Sequence, residues 1–72
     1  MESLGERIHD LRVERKLTQP QLAKKLNVSN CIISKWENNL MEPKATYIIR
    51  MCQFFNVTAD YLLGLKEFWG ML

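Results

Sequence analysis

Leu4, Ile8 and Leu11 recur at helical spacing, with Glu2, Glu6, Arg7, Asp10 and Glu14 between them. That pattern predicts an amphipathic first helix over about residues 3–15. In "KLTQPQLAKKL", Thr18 followed three residues later by Gln21 is a capping box. Pro20 falls in the first turn, where a missing N–H costs little. A second helix over about residues 19–26 should bury Leu22, Ala23 and Leu26 and stop at Asn27, a residue that tolerates left-handed backbone angles. Ser29 offers the N-cap of a third helix over about residues 30–38, which Asn38-Asn39 ends. After the loop "LMEPK", "ATYIIRMCQFF" predicts a fourth helix over about residues 44–55, with Ile48, Met51/Cys52 and Phe55 inward and Asn56 as its stop. Thr58 caps a short fifth helix, "ADYLL", which Gly64 ends. Long alternating β-branched runs are missing, so the expected fold is all-α, with five helices.

The segment "VSNCIISKWENN" carries an unusual division of labour. At about 100° per residue, Ile32, Ile33 and Trp36 fall on one side of the third helix. Asn30, Cys31, Ser34, Lys35 and Asn38 fall on the other. Solvated helix faces usually carry Glu, Lys, Arg and Gln. Asn and Ser are poor helix formers, so something other than helix stability selects them here. Asn can pair with adenine N6/N7, Lys can reach guanine O6/N7, and Ser can serve either. The second helix precedes by a turn of three residues, "NVS", and Ala23 is small enough to let the two helices approach closely. That arrangement is a helix-turn-helix, with its second helix offered to a major groove.

Composition narrows the picture. Seventy-two residues make one small domain, and an apolar content of 47% is too high for disorder. Net charge is +2, but residues 1–36 hold seven Lys/Arg against four Asp/Glu, while residues 37–72 hold three against four. The basic excess therefore sits in the half that carries the helix-turn-helix. Cys31 and Cys52 form no CxxC pair, and with His9 alone they make no zinc set or disulfide framework. No metal or cofactor is expected. No leader-like opening and no apolar run of membrane-spanning length is seen, so the expected setting is soluble, reducing and cytoplasmic, with no membrane partner. No Ser/His/Asp or Cys/His set, paired carboxylate site or glycine-rich phosphate loop supports an enzyme.

"LTQPQLAKKLNVSNCIISKWENN" resembles the helix-turn-helix of the lambda-repressor/Cro-like family, also called the xenobiotic-response-element family. Gln19, Leu22-Ala23, Val28-Ser29, Ile33, Trp36-Glu37 and Pro43 agree in register, and "FFNVTADYLLG" resembles the family's usual ending. The resemblance runs from Leu4 to about Gly64, so residues 1–64 are expected to be the DNA-binding domain and 65–72 an apolar tail. It implies a five-helix, lambda-repressor-like domain that inserts its third helix in the major groove of double-stranded DNA and acts as a homodimer on a two-fold operator. Carried over by position, Asn30, Cys31, Ser34 and Lys35 are the candidate base readers. Gln19 and Ser29, at the starts of helices 2 and 3, look like anchors to the DNA backbone, since helix N-termini suit phosphate. Asn38 and Lys44 match positions that often touch phosphate.

The chain departs from the family in several places. Asn27 and Asn39 stand where glycine is usual, and asparagine is the next best left-handed residue. The loop after helix 3 is commonly basic, yet here it is Leu40-Met41-Glu42. Lys44 replaces a Ser-type cap, exchanging about 1 kcal/mol of capping for a cation near the DNA side. Ile32, usually polar, either widens the core contact or touches a thymine methyl. Glu37 would repel phosphate and is expected to pair with a base on helix 1, Arg12 being the suggested partner. Arg7, Arg12, Arg15 and Lys16 either form a basic rim or simply solvate helix 1. His9 should be exposed and Cys52 packed. Cys31 either reads a base edge, senses oxidation or is incidental.

Phe68, Trp69, Met71 and Leu72 close the chain, and such residues are seldom left in water as a patch. They either fold back on their own domain or pair with a second subunit, and pairing is favoured because one reading helix covers few base pairs. The expected function is a sequence-specific transcriptional regulator, a repressor by preference. The alternative on the same fold is an antitoxin or adaptor whose tail and Leu40-Met41 loop bind another protein.

Overall fold

The computed structural model describes residues 3–65. They form α1 (Leu4–Glu14), α2 (Gln19–Leu26), α3 (Asn30–Glu37), α4 (Ala45–Phe55) and α5 (Ala59–Leu62). The expected all-α order is therefore present, with boundaries within a residue or two of the sequence pattern. Asn38 is the C-cap of α3 rather than its last residue, and Lys44 is the N-cap of α4.

Four of the five starts follow from a side chain. Ser3, Thr18, Ser29 and Thr58 accept hydrogen bonds from Glu6, Gln21, Ile32 and Tyr61 N–H groups, and the first two complete capping boxes. Lys44 makes no side-chain cap hydrogen bond, as its substitution for a Ser-type cap implies. The ends share one device. Lys16, Asn27, Asn39, Asn56 and Gly64 all have φ between 58° and 84°. The next N–H then reaches back to a carbonyl of the last turn: Leu17 to Arg12, Val28 to Ala23, Leu40 to Lys35, Val57 to Cys52 and Leu65 to Asp60. These are Schellman closures, which satisfy carbonyls that a helix end otherwise leaves open.

The core gathers Ile8, Leu11, Leu22, Ile33, Met51, Phe55 and Leu62, all almost wholly buried, with Ala23, Leu26, Trp36 and Val57 around them. α3 packs on α1 and α2, α4 on α2 and α5, and α5 on α1. Ile48 and Cys52 are only half-buried, packed against this core rather than inside it. Burial pushes the Cys52 thiol above its ordinary range, which keeps it neutral.

The first helix corrects one expectation. Three of the four basic residues considered as a rim are structural. Arg7 is buried, 6% exposed, with its guanidinium over the Tyr61 ring. Arg12 is tied to Glu37, and Arg15 donates to the Phe55 carbonyl oxygen while covering that ring. Only Lys16 of the four has an exposed side chain with no such tie described. Among the described residues, no helix is long and apolar enough to cross a membrane.

Candidate nucleic-acid interface

α2 and α3 are joined by Asn27, Val28 and Ser29. The left-handed Asn27 and the extended Ser29 turn the chain sharply, and Val28 tucks against the core. Ala23, buried where the helices meet, lets them approach. Ile33 and Trp36 root α3 in the core at 0% and 3% exposure. Trp36 also packs against Tyr47, with ring centroids 5.4 Å apart.

Opposite these anchors lie the expected base readers. Asn30, Cys31 and Lys35 are exposed and Ser34 is half-buried. Ser29, at the head of the helix, is exposed, but its hydroxyl accepts the Ile32 N–H at 3.3 Å, so its outward polarity is shared with capping. Asn38 is exposed and sends Nδ2 to the Ser34 carbonyl oxygen at 2.9 Å and to Ser34 Oγ at 3.4 Å. A phosphate contact from Asn38 nitrogen therefore competes with these local bonds. Lys44 is exposed at the head of α4 and, with Glu42, lines a groove of about 280 Å³ whose apolar wall is Val28, Ile32, Trp36, Met41 and Tyr47. Ile32 is half-buried in that groove wall, so it widens the core contact.

Gln19 is tied down by a charged partner. It is half-buried, and its Nε2 donates to Glu37 Oε1 at 3.0 Å. Glu37 in turn binds Arg12 through both oxygens, Oε2 to Nε at 2.6 Å and Oε1 to Nη2 at 3.1 Å. Arg12 Nη1 reaches the Leu17 carbonyl oxygen at 2.7 Å. The suggested Arg12–Glu37 pair is thus present as a bidentate, part-buried fork.

Two contributors escaped the sequence reading. Gly5 lies so close to the end of α3 that an added Cβ would come within 3.0 Å of the Trp36 and Glu37 carbonyl oxygens. Asn39 does more than tolerate a left-handed φ: its Oδ1 accepts the Gly5 N–H at 3.1 Å and its Nδ2 donates to Ser3 Oγ at 3.0 Å. The glycine inside an amphipathic helix was the one available signal, since such a residue often marks close backbone approach.

Two helices joined by this tight turn, the second rooted by apolar residues and polar outside, define a helix-turn-helix protein. The chain belongs to the helix-turn-helix domain family, whose model matches residues 5–67. It is similar to the HTH-type transcriptional regulator ImmR of Bacillus subtilis (35% identical over 65 residues, 90% of this chain and 51% of that one). It is 42% identical over 63 residues to the HTH-type transcriptional activator BcrR of Enterococcus faecalis, covering 88% of this chain and 31% of that one. The chain thus spans about half or less of the curated relatives it matches. Among solved structures it resembles the P22 c2 repressor protein in complex with a synthetic operator, with a TM-score of 0.82 and 35% identity over 88% of this chain and 96% of that one.

Proposed function

We propose that this chain is a sequence-specific DNA-binding transcriptional regulator that represses from a two-fold operator as a homodimer. One observation carries the reading. The outer face of α3 presents the exposed Asn30, Cys31 and Lys35 with the half-buried Ser34, while its opposite face is anchored by Ile33 and Trp36. Asn30 and Lys35 supply hydrogen bonds to base edges, Ser34 serves either base of a pair, and Cys31 offers a small apolar contact. Gln19, Ser29 and Lys44 lie at the starts of α2, α3 and α4 and position the domain on phosphates, with Asn38 joining when its amide leaves Ser34. The P22 c2 repressor, similar in fold and bound to operator DNA, supports both DNA binding and repression. BcrR is an activator, so a promoter–reporter fusion decides the sign for this chain.

The two-fold symmetry is assigned to residues 65–72. Leu65 is 73% exposed, and the remainder of that segment lies outside the described residues. Removing residues 66–72 should leave a folded monomer with much weaker operator binding. A truncated chain that still sediments as a dimer contradicts this assignment, as does one that unfolds.

The reading as a whole is tested by recovery of genomic DNA fragments on the immobilised protein, with sizing of the free chain. Should a dimer contact about six phosphates, affinity falls roughly 10³-fold between about 50 and 200 mM salt. Salt-insensitive binding, or no retained fragment at low salt, overturns it. A second reading has its own observation: Leu40 and Met41 are 76% and 40% exposed, an apolar loop suited to a protein partner in an antitoxin or adaptor. Protein capture without DNA retention would favour that reading.

A further inference from the structure

Glu37 is a charged side chain only 5% exposed at the buried end of α3. Its Oε1 serves two donors, Arg12 Nη2 and Gln19 Nε2. A carboxylate only accepts hydrogen bonds, so Gln19 must turn its NH2 group toward it. The flip of the Gln19 amide is therefore set: Oε1 and the second N–H of Nε2 are the parts directed away from Glu37. The carboxylate itself cannot swing freely, because Arg12 grips both oxygens and is tied at its far side to the Leu17 carbonyl. A side chain that would otherwise sample several rotamers at the start of α2 is held in one.

We propose that Glu37, held by Arg12, is a positioning residue for DNA binding: it presets the Gln19 amide so that the second N–H of Nε2 meets the phosphate backbone. This rests on the DNA-binding reading given above. A glutamine ordered before binding avoids the entropy of ordering on the duplex, worth about two- to tenfold in affinity. The same residues thus join α1, the start of α2 and the end of α3 in one frame, with the DNA contact on its outer edge.

The test is a double-mutant cycle on a mixed-sequence duplex of about 20 base pairs at low salt. Replacing the ion pair as a unit, Arg12→Met with Glu37→Met, avoids leaving a buried charge unpaired. Affinity is read at a temperature where circular dichroism shows each variant folded. Gln19→Ala should weaken binding about two- to tenfold, and the paired replacement should do the same. Made in the Gln19→Ala background, the paired replacement should cost nothing further. Equal losses in both backgrounds would show that the pair acts only through the fold, and would overturn the proposal. Should the paired variant fail to fold, the parent's Gln19 side-chain amide decides by NMR. One of its two protons should be protected from exchange in the free protein, and the other should shift when duplex is added. Two equally unprotected protons, or no shift on a duplex that binds, would overturn the proposal. A parent that binds no duplex at all sinks the DNA reading itself, whereas additive losses sink only the role of Glu37.

Discussion

The two ends of α3 are held in opposite ways. At its C-terminal end, Trp36 is buried, Glu37 is gripped by Arg12 and Gln19, and Asn39 ties the turn to Ser3 and Gly5 of the first helix. At its N-terminal end, the Ser29 cap and the half-buried Ile32 are the main restraints, and Asn30 and Cys31 are exposed. Such a helix behaves as a bracket, with a rigid root and an open tip. The difference assigns separate duties: substitutions at the root should act first on stability, Glu37 alone also acting on binding through Gln19, and those at the tip on recognition. Binding sites held to a productive geometry by a packed shell behind them follow this division.

The largest effect is expected at the aromatic anchor. Trp36→Ala removes a buried ring that packs on Tyr47 and should cost about 3–5 kcal/mol, much of a small domain's stability. A variant melting within a few degrees of the parent would break the comparison outright. Gly5→Ala comes next. Its methyl group would press on backbone carbonyls, which cannot move aside as a flexible side chain can, so about 1–3 kcal/mol should be lost in a denaturant titration. An unchanged midpoint would mean that α1 and the end of α3 are not in firm contact. Asn39→Ala loses two hydrogen bonds and keeps a left-handed φ that alanine disfavours, for about 1–2 kcal/mol. Asn39→Gly, which relieves the backbone but loses the same bonds, should recover part of that loss. Recovery of the whole loss would leave the Ser3 and Gly5 contacts without weight.

At the tip the stability effect should shrink to about 0.5 kcal/mol or less for Asn30→Ala, as for an exposed side chain. Its cost should appear instead as about 1–3 kcal/mol on a preferred duplex and little on random DNA. Equal losses on both duplexes would remove Asn30 from the base-reading set. Cys31 sharpens the same contrast: being exposed, it should be alkylated well before the half-buried Cys52, whose thiol burial keeps protonated. Bound duplex should slow the reaction at Cys31 alone.

The legible features were those that a single residue type enforces. Thr18 with Gln21, Ser29, Thr58 and the left-handed Asn27, Asn39 and Asn56 each announce a helix start or stop, and the elements follow them closely. Lys16 was not legible in this way, since nothing about lysine signals φ of 58°; the closure is imposed by the Leu17 N–H reaching the Arg12 carbonyl. Arg7 failed for a related reason. Its charge reads as surface, but the guanidinium finds an aromatic face on α5, a partner far along the chain. For α3, the wheel separated the buried Ile33 and Trp36 from the exposed Asn30, Cys31, Lys35 and Asn38, because burial there follows helical period, while Ile32 and Ser34, set on opposite sides, are both half-buried. The wheel says nothing about what the outward side chains already bind. Asn38 is engaged with Ser34, and Gln19 with Glu37, and such pairings depend on rotamers rather than spacing.

The central claim is that the open tip and outer stripe of α3 meet the duplex while the root does not. Backbone amide NMR of the intact protein, followed as a duplex recovered from genomic DNA is added, tests this most directly. The largest shifts should fall at Gln19, Ser29 to Cys31, Ser34, Lys35 and Lys44, with Gly5, Trp36 and Asn39 little changed. Shifts concentrated instead on the exposed apolar residues Ile49, Leu63 and Leu65, or none at a duplex concentration equal to the protein's, would contradict the claim.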